Sequence, residues 1–264
     1  MNGLELVDPV EIVKTNVLAV QDYATLAGRS LKNIFRKPRY VADTLQQADL
    51  IGVGSLPIVV LTGFFTGAVL ALQSSATLVK FGSLSLTGQL VSLSMVRELG
   101  PVLTSLMVAG RNASGMASEL GSMKVTEQID AMRALGTDPT KKLVTPRVVS
   151  SIVMLFFLTI ISDLVGMIGG WAVSTAMLGL DSNQFWNQAY QHLTNEDVSM
   201  GLIKPVIFGF IISTVGCYYG LATKGGTQGV GRSTTQAVVA ASVLILIVDF
   251  FVTRLIMTWF GSVV

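Results

Sequence analysis

From Leu50 to Val79 the chain runs through thirty consecutive positions without a charged side chain. A helix crossing a bilayer needs roughly 20 mostly apolar residues, because every backbone polar group must be satisfied within the helix itself. The stretch is long enough, and a first membrane span is predicted near 50–73. Composition closes the soluble alternative. Hydrophobic residues make up 51 % of the 264 and charged residues only 13 %, about half the roughly 25 % of an average soluble domain. Too few charges remain to cover a water-facing surface.

Four further apolar stretches follow. They lie near 86–110, 146–178, 201–223 and 235–260. The second is broken by Arg97-Glu98, the third contains Asp163, the fourth starts near Lys204, and the fifth holds Asp249 and Arg254. The expected fold is an all-α membrane protein of five spans. Residues 1–48 are expected to form an N-terminal cytoplasmic region, and 49–264 the five-span bundle.

Basic residues set orientation. Lys14, Arg29, Lys32, Arg36, Lys37 and Arg39 precede the first span. Arg111, Lys124, Arg133, Lys141, Lys142 and Arg147 lie between the second and third, and Lys224 and Arg232 between the fourth and fifth. Fourteen of the 18 basic residues thus share one side, while the opposite loops hold Lys80 with the acidic Asp181, Glu196 and Asp197. A cytoplasmic N-terminus and an outer C-terminus are expected. No cleavable signal peptide is read in the first 45 residues.

Within residues 10–34, Val10, Val13, Val17, Val20, Ala24, Ala27, Leu31 and Ile34 recur at steps of three and four. That spacing makes one apolar stripe on a helix. Basic residues crowd its end before Pro38, and a helix lying in the cytoplasmic membrane interface fits better than a coiled-coil arm. Gly63, Gly67 and Ala71 in the first span, and Gly166, Gly169 and Gly170 in the third, have the spacing that lets helices approach closely. Packing inside one chain and a seam between two copies both use that spacing.

The longest polar loop runs from Arg111 to Arg147. Residues 119–136 are read as a short cytoplasmic helix, with Met123, Val125, Ile129, Met132 and Leu135 largely on one side, Gly136 as its cap and Pro139 as its stop. Such a helix docks a soluble partner or lies on the lipid surface. Gly226, Gly231, Arg232 and Ser233 nearly match a phosphate-binding loop. Arg stands where Lys is needed, and no strand precedes it to aim backbone amides at a phosphate. No nucleotide site is assigned.

A lone Cys217 and a lone His192 leave no cysteine cluster, internal disulfide or His-rich metal site. With neither catalytic constellation nor metal spacing, a lipid-modifying membrane enzyme is disfavoured. A formal net charge of +2 gives no basic surface for nucleic acid. The intramembrane charges are the notable chemistry, since one at mid-bilayer costs about 2.5–3.5 kcal/mol. Arg97 and Glu98 point about 100° apart on a helix. Pro101 removes the helical hydrogen bond to the Arg97 carbonyl and predicts a kink. Together these read as a polar cavity wall or as ion pairs holding a bundle; Lys204 could also snorkel outward. Glu98 with Lys204, and Arg97 with Asp249, are the expected pairs. Asp163 and Arg254 are weaker candidates.

The run SMVRELGPVLTSLMVAGR at 94–111 and its continuation ASELGSMKVTEQIDAMRALGTDP at 117–139 resemble the MlaE/YrbE permease family. The resemblance covers about 10–260. It implies a homodimeric permease of an ABC transporter for phospholipids or related lipids in the bacterial inner membrane, with the C-terminus periplasmic. Implied partners are a second copy, a cytoplasmic ATPase pair that carries ATP and Mg, an MCE-domain protein, expected to be hexameric, and in some systems a STAS-domain protein. No cofactor, metal or catalytic residue is expected in this chain. Residues matching the lipid cavity are Arg97, Glu98, Lys204 and Asp249. The helix at 119–136 becomes the ATPase coupling element, with Glu119, Glu127, Ile129, Asp130, Met132 and Arg133. Asp130-Ala131-Met132 followed by Gly136 also resembles the E-A-A-x-x-x-G docking loop of ABC importers, with Asp for Glu and Met for the second Ala. The competing class is a channel or scaffold without ATP coupling.

Overall fold

The computed structural model describes residues 9–38 and 40–259. Arg39, the end of the fifth span at 260 and the C-terminus fall outside the described residues, as do the side chains of Val10 and Val13. Among the described residues there are helices and no strands.

Five helical stretches are long and apolar enough to cross a membrane: Val41–Phe81, Leu84–Val125, Thr140–Ala176, Asn195–Leu221 and Gly226–Trp259. All five expected spans are therefore present, each longer than the apolar core that announced it. The elements are α1 (Pro9–Ile34), α2 (Val41–Leu78), α3 (Thr87–Ser94), α4 (Gly100–Val108), α5 (Ser114–Val125), α6 (Gln128–Ala134), α7 (Thr145–Ala176), α8 (Ser182–Gln191), α9 (Asn195–Leu221) and α10 (Gly226–Trp259).

The second span is not one regular helix. Segments α3, α4 and α5 are joined by two π turns, Met95–Leu99 and Ala109–Ala113. A π turn holds one residue more than an α turn and commonly marks a functional position. The break expected at Pro101 takes this form: the widened turn precedes the proline, which sits in the first turn of α4.

In lipid, apolar side chains gain little by leaving the solvent, so close packing holds the bundle together. Helices α2 and α7 meet along their small residues. A Cβ on Gly67 would collide with the Gly166 carbonyl, and one on Gly63 would lie 2.9 Å from the Ser162 carbonyl. Both glycine rows are thus used within one chain. The central core joins Val59, Val108, Leu155, Phe208, Ile212 and Ile245. Helix α10 leaves Val239, Val243, Leu246, Ile247 and Phe250 exposed, an apolar surface that water would not tolerate.

Helix α1 rests on the bundle through Tyr23, Leu26 and Ser30. The Tyr23 hydroxyl lies 3.0 Å from Thr214 Oγ1, and its ring meets Tyr218 edge-on at 5.8 Å. The stripe residues Val17, Val20, Ala24 and Leu31 face away from the bundle.

Candidate functional site

The charges of the second, fourth and fifth spans converge. Lys204 lies nine residues into α9, roughly 14 Å along its axis at 1.5 Å per residue. Its side chain is fully buried. The ammonium donates to Glu98 Oε2 at 2.5 Å and to the Arg97 backbone carbonyl at 3.0 Å. Asp249 Oδ1 of α10 lies 3.0 Å from the same nitrogen. That contact is a charge pair without hydrogen-bond alignment, for Asp249 Oδ1 has no hydrogen-bond partner. Glu98 Oε1 accepts from Thr253 Oγ1 at 3.3 Å. One buried cation therefore ties three spans together.

The local sequence explains this. A helical carbonyl accepts from the N–H four residues on, and Pro101 has none to give to Arg97. Lys204 supplies a donor there. The π turn carries both Arg97 and Glu98, so the Arg97 backbone and the Glu98 side chain meet the same ammonium.

Two sequence expectations are settled differently. Glu98 pairs with Lys204 as expected. Arg97 does not reach Asp249, because Lys204 takes that carboxylate. Arg97 Nε donates instead to Asp197 Oδ1 at 2.5 Å, and its Nη2 pairs with the same oxygen. The sequence places Asp197 in a loop, whereas it lies in the first turn of α9. It closes a capping box at the start of α9: its Oδ2 accepts from the Thr194 N–H at 2.9 Å and hydroxyl at 2.8 Å. The signal was legible as Thr194-x-x-Asp197 before an apolar run. A capping carboxylate held so firmly is a fixed anchor for the guanidinium, which stays 40 % exposed.

Lys204 does not snorkel, being enclosed within the bundle. Asp163 is buried on α7 against Gly100, with Oδ1 unpartnered. Arg254 is exposed, and among the described residues it forms no ion pair.

On the basic side, the helix expected over 119–136 is two helices. Helix α5 continues the second span to Val125, and α6 starts at Gln128. Glu127 between them has a φ of 58°, a left-handed conformation costly for a non-glycine residue. Gly136, at φ 77°, ends the loop. There the Gly136 N–H donates to Arg133 O at 3.0 Å and the Thr137 N–H to Met132 O at 3.0 Å, the paired closure for which glycine is favoured.

The coupling candidates consequently divide. Glu119 belongs to α5, where Oε2 pairs with Arg147 Nη2 of α7 at 2.7 Å. Ile129 is fully buried in its own chain and offers nothing to a partner. Asp130 is held by Lys124 at 2.8 Å and Arg133 at 3.0 Å. The Lys124 hydrogen bond, reinforced by Arg133, keeps its carboxyl below the ordinary carboxylate range. Met132 is half-buried, and Glu127, Arg133 and Leu135 are exposed. The near phosphate-loop residues from Gly226 lie in the first turns of α10, which is not the strand-loop-helix setting of a nucleotide site.

Comparisons with known proteins agree with this architecture. The profile of the family described as Permease MlaE matches residues 44–255. A probable ABC transporter permease protein of Rickettsia conorii is 44 % identical over 237 residues, covering 90 % of this chain and 92 % of the relative. The intermembrane phospholipid transport system permease protein MlaE of Haemophilus influenzae is 35 % identical over 212 residues, with 80 % and 81 % covered. The chloroplastic protein TRIGALACTOSYLDIACYLGLYCEROL 1 of Arabidopsis thaliana is 40 % identical over 225 residues, with 85 % and 64 % covered. With the match spanning all five membrane helices, the chain belongs to the MlaE permease family.

Proposed function

We propose that this chain is the permease subunit of an ATP-driven phospholipid transporter in a bacterial inner membrane. Membership of the family, over 44–255, is the observation that carries this reading. It disfavours the channel or scaffold alternative. ATP and Mg reside on a separate ATPase pair, and the chain works as a dimer of two copies, whose exposed α10 face suits such pairing. An MCE-domain protein outside the membrane, with six subunits, exchanges lipid with it; a STAS-domain protein is a further partner.

In this reading the half-exposed Arg97 guanidinium meets the lipid phosphate. Its charge and planar fork suit a phosphate oxygen pair. Asp197 fixes its direction, and Glu98, Lys204 and Asp249 hold the wall behind it. Helix α6 meets the ATPase with Met132, Leu135, Glu127 and Arg133. The Glu119–Arg147 pair links the end of α5 to α7, so a push on α6 is passed to two spans at once. The N-terminus lies on the cytoplasmic side, and α1 lies in the interface with its outward stripe against lipid.

The test is reconstitution of the chain with its ATPase in vesicles carrying labelled phospholipid. ATP-dependent lipid movement is expected. ATP-independent ion flux without lipid movement would replace this reading with the channel.

A further inference from the structure

A separate cleft lies away from the Lys204 cluster, beside the basic end of the bundle. It has a volume of about 330 Å³ and opens between the end of α1, the start of α2 and the start of α7. Phe35, Pro38, Val41 and Pro146 form apolar walls, and Asn33 and Lys141 add polar groups. We infer that this cleft binds the head group and glycerol region of an anionic phospholipid of the cytoplasmic leaflet, as a bound lipid distinct from the cargo. The inference rests on the membrane orientation proposed above.

Charge makes the first argument. Lys142 is already committed: it pairs with Asp43 at 2.5 Å and lies 4.5 Å over the Tyr40 ring. Its neighbour Lys141 donates only to the backbone carbonyl of Lys37. Arg36 and Lys37 lie in the chain between the lining residues Phe35 and Pro38 and are exposed. Among the described residues no carboxylate lies within ion-pair distance of Lys141, Arg36 or Lys37. Three uncompensated cations around one cleft call for an anion.

Depth and polarity identify its source. Thr44, in the cleft wall, precedes the uncharged stretch at Leu50 by six residues, or about 9 Å of helix. That places the cleft at head-group level, just outside the hydrocarbon. A free phosphate has no use for walls of Phe, Pro and Val. Phe35 is 81 % exposed and Val41 59 % exposed, an apolar surface that lipid methylenes would cover. Basic residues at the cytoplasmic surface attract anionic lipid in this layer.

The test uses the full-length chain purified in mild detergent. Bound phosphatidylglycerol and phosphatidylethanolamine of equal chain length are compared by native mass spectrometry and by thermal stabilisation. The wild type is expected to retain phosphatidylglycerol preferentially. Arg36→Gln with Lys141→Gln should weaken retention roughly 25-fold, about a factor of five for each basic residue removed from an anionic surface. Val41→Trp, which fills the cleft without changing charge, should reduce it as well, whereas Lys80→Gln, at an exposed lysine near the end of the first span, should not. Equal retention of both lipids, or indifference to both cleft variants, overturns the inference. So does soluble glycerol phosphate matching the lipid, which would mark a free-phosphate site, or Val41→Trp altering oligomeric state in place of lipid retention, which would mark a second copy as occupant. Loss of ATP-driven transport with phosphatidylglycerol still retained would count against the proposed function alone.

Discussion

The Lys204 ammonium donates to the backbone carbonyl of Arg97, the carbonyl whose helical donor is missing because Pro101 stands four residues on. The same ammonium holds Glu98 and Asp249. Lys204 is therefore the centre of a cluster, and a simple exchange of charges cannot rebuild it.

Lys204→Met should destabilise the protein by about 3–5 kcal/mol, the usual cost of removing one partner from a buried ion pair. Adding Glu98→Gln and Asp249→Asn should recover most of that loss, since no buried charge then lacks a partner. Glu98→Lys combined with Lys204→Glu should not recover it, because a carboxylate at 204 would face both Asp249 and the Arg97 carbonyl. Thermal unfolding in detergent checks all three. Wild-type stability in Lys204→Met would refute the central role of this ammonium.

Asp197 has two tasks that substitution can separate. Asp197→Ala loses the reciprocal half of the capping box at the start of α9 and also frees Arg97. Arg97→Gln leaves the cap in place. If Arg97 positions lipid phosphate, Arg97→Gln should reduce lipid transport while the protein stays folded, because Asp197 keeps its Thr194 hydrogen bonds. Normal transport in Arg97→Gln would remove it from the lipid pathway.

Docking should respond to the half-buried Met132 of α6 and the exposed Leu135 that follows it. Met132→Asp with Leu135→Asp should detach the ATPase or uncouple hydrolysis from transport, leaving the chain's own stability nearly unchanged. Ile129→Asp should instead destabilise the chain by several kcal/mol, since it buries an unpaired carboxylate. Co-purification of the ATPase measured beside thermal stability distinguishes them. Wild-type ATPase retention and transport in the Met132, Leu135 pair would show that α6 docks nothing.

The purified chain should bind no ATP, and Arg232→Ala should leave nucleotide binding by the complex intact. Saturable ATP binding by the chain alone, abolished by Arg232→Ala, would reverse this.

Gly67→Val should prevent α2 and α7 from closing. The added side chain meets the Gly166 carbonyl, and backbone cannot step aside as a flexible side chain can. A reduced yield of folded protein and a lowered melting temperature are expected; unchanged values would mean that the seam yields.

The spans were legible because excluding charge over some 20 residues is a demand that few other structures make. The Glu98–Lys204 pair was legible for a related reason: an isolated membrane charge needs a partner, and few candidates exist. The partner of Arg97 was not legible, because Asp197 lies at a helix end, where polar residues are ordinary. The split at Glu127 left no glycine or proline to announce it. The π turns were hidden too, since one extra residue barely disturbs an apolar pattern read over a long stretch.

Those π turns have a consequence for rotational phase. Each adds one residue, about 100° of azimuth, to everything that follows it. The pair in the second span therefore turns α5 through about 200° relative to an uninterrupted helix begun at Thr87. Met116, Ala117 and Leu120 are buried in the bundle with that offset in place. Deleting Val96 alone from the first π turn would remove half of it. The Lys204 cluster and the α6 end would then fall out of angular step with each other, although neither would have lost a side chain.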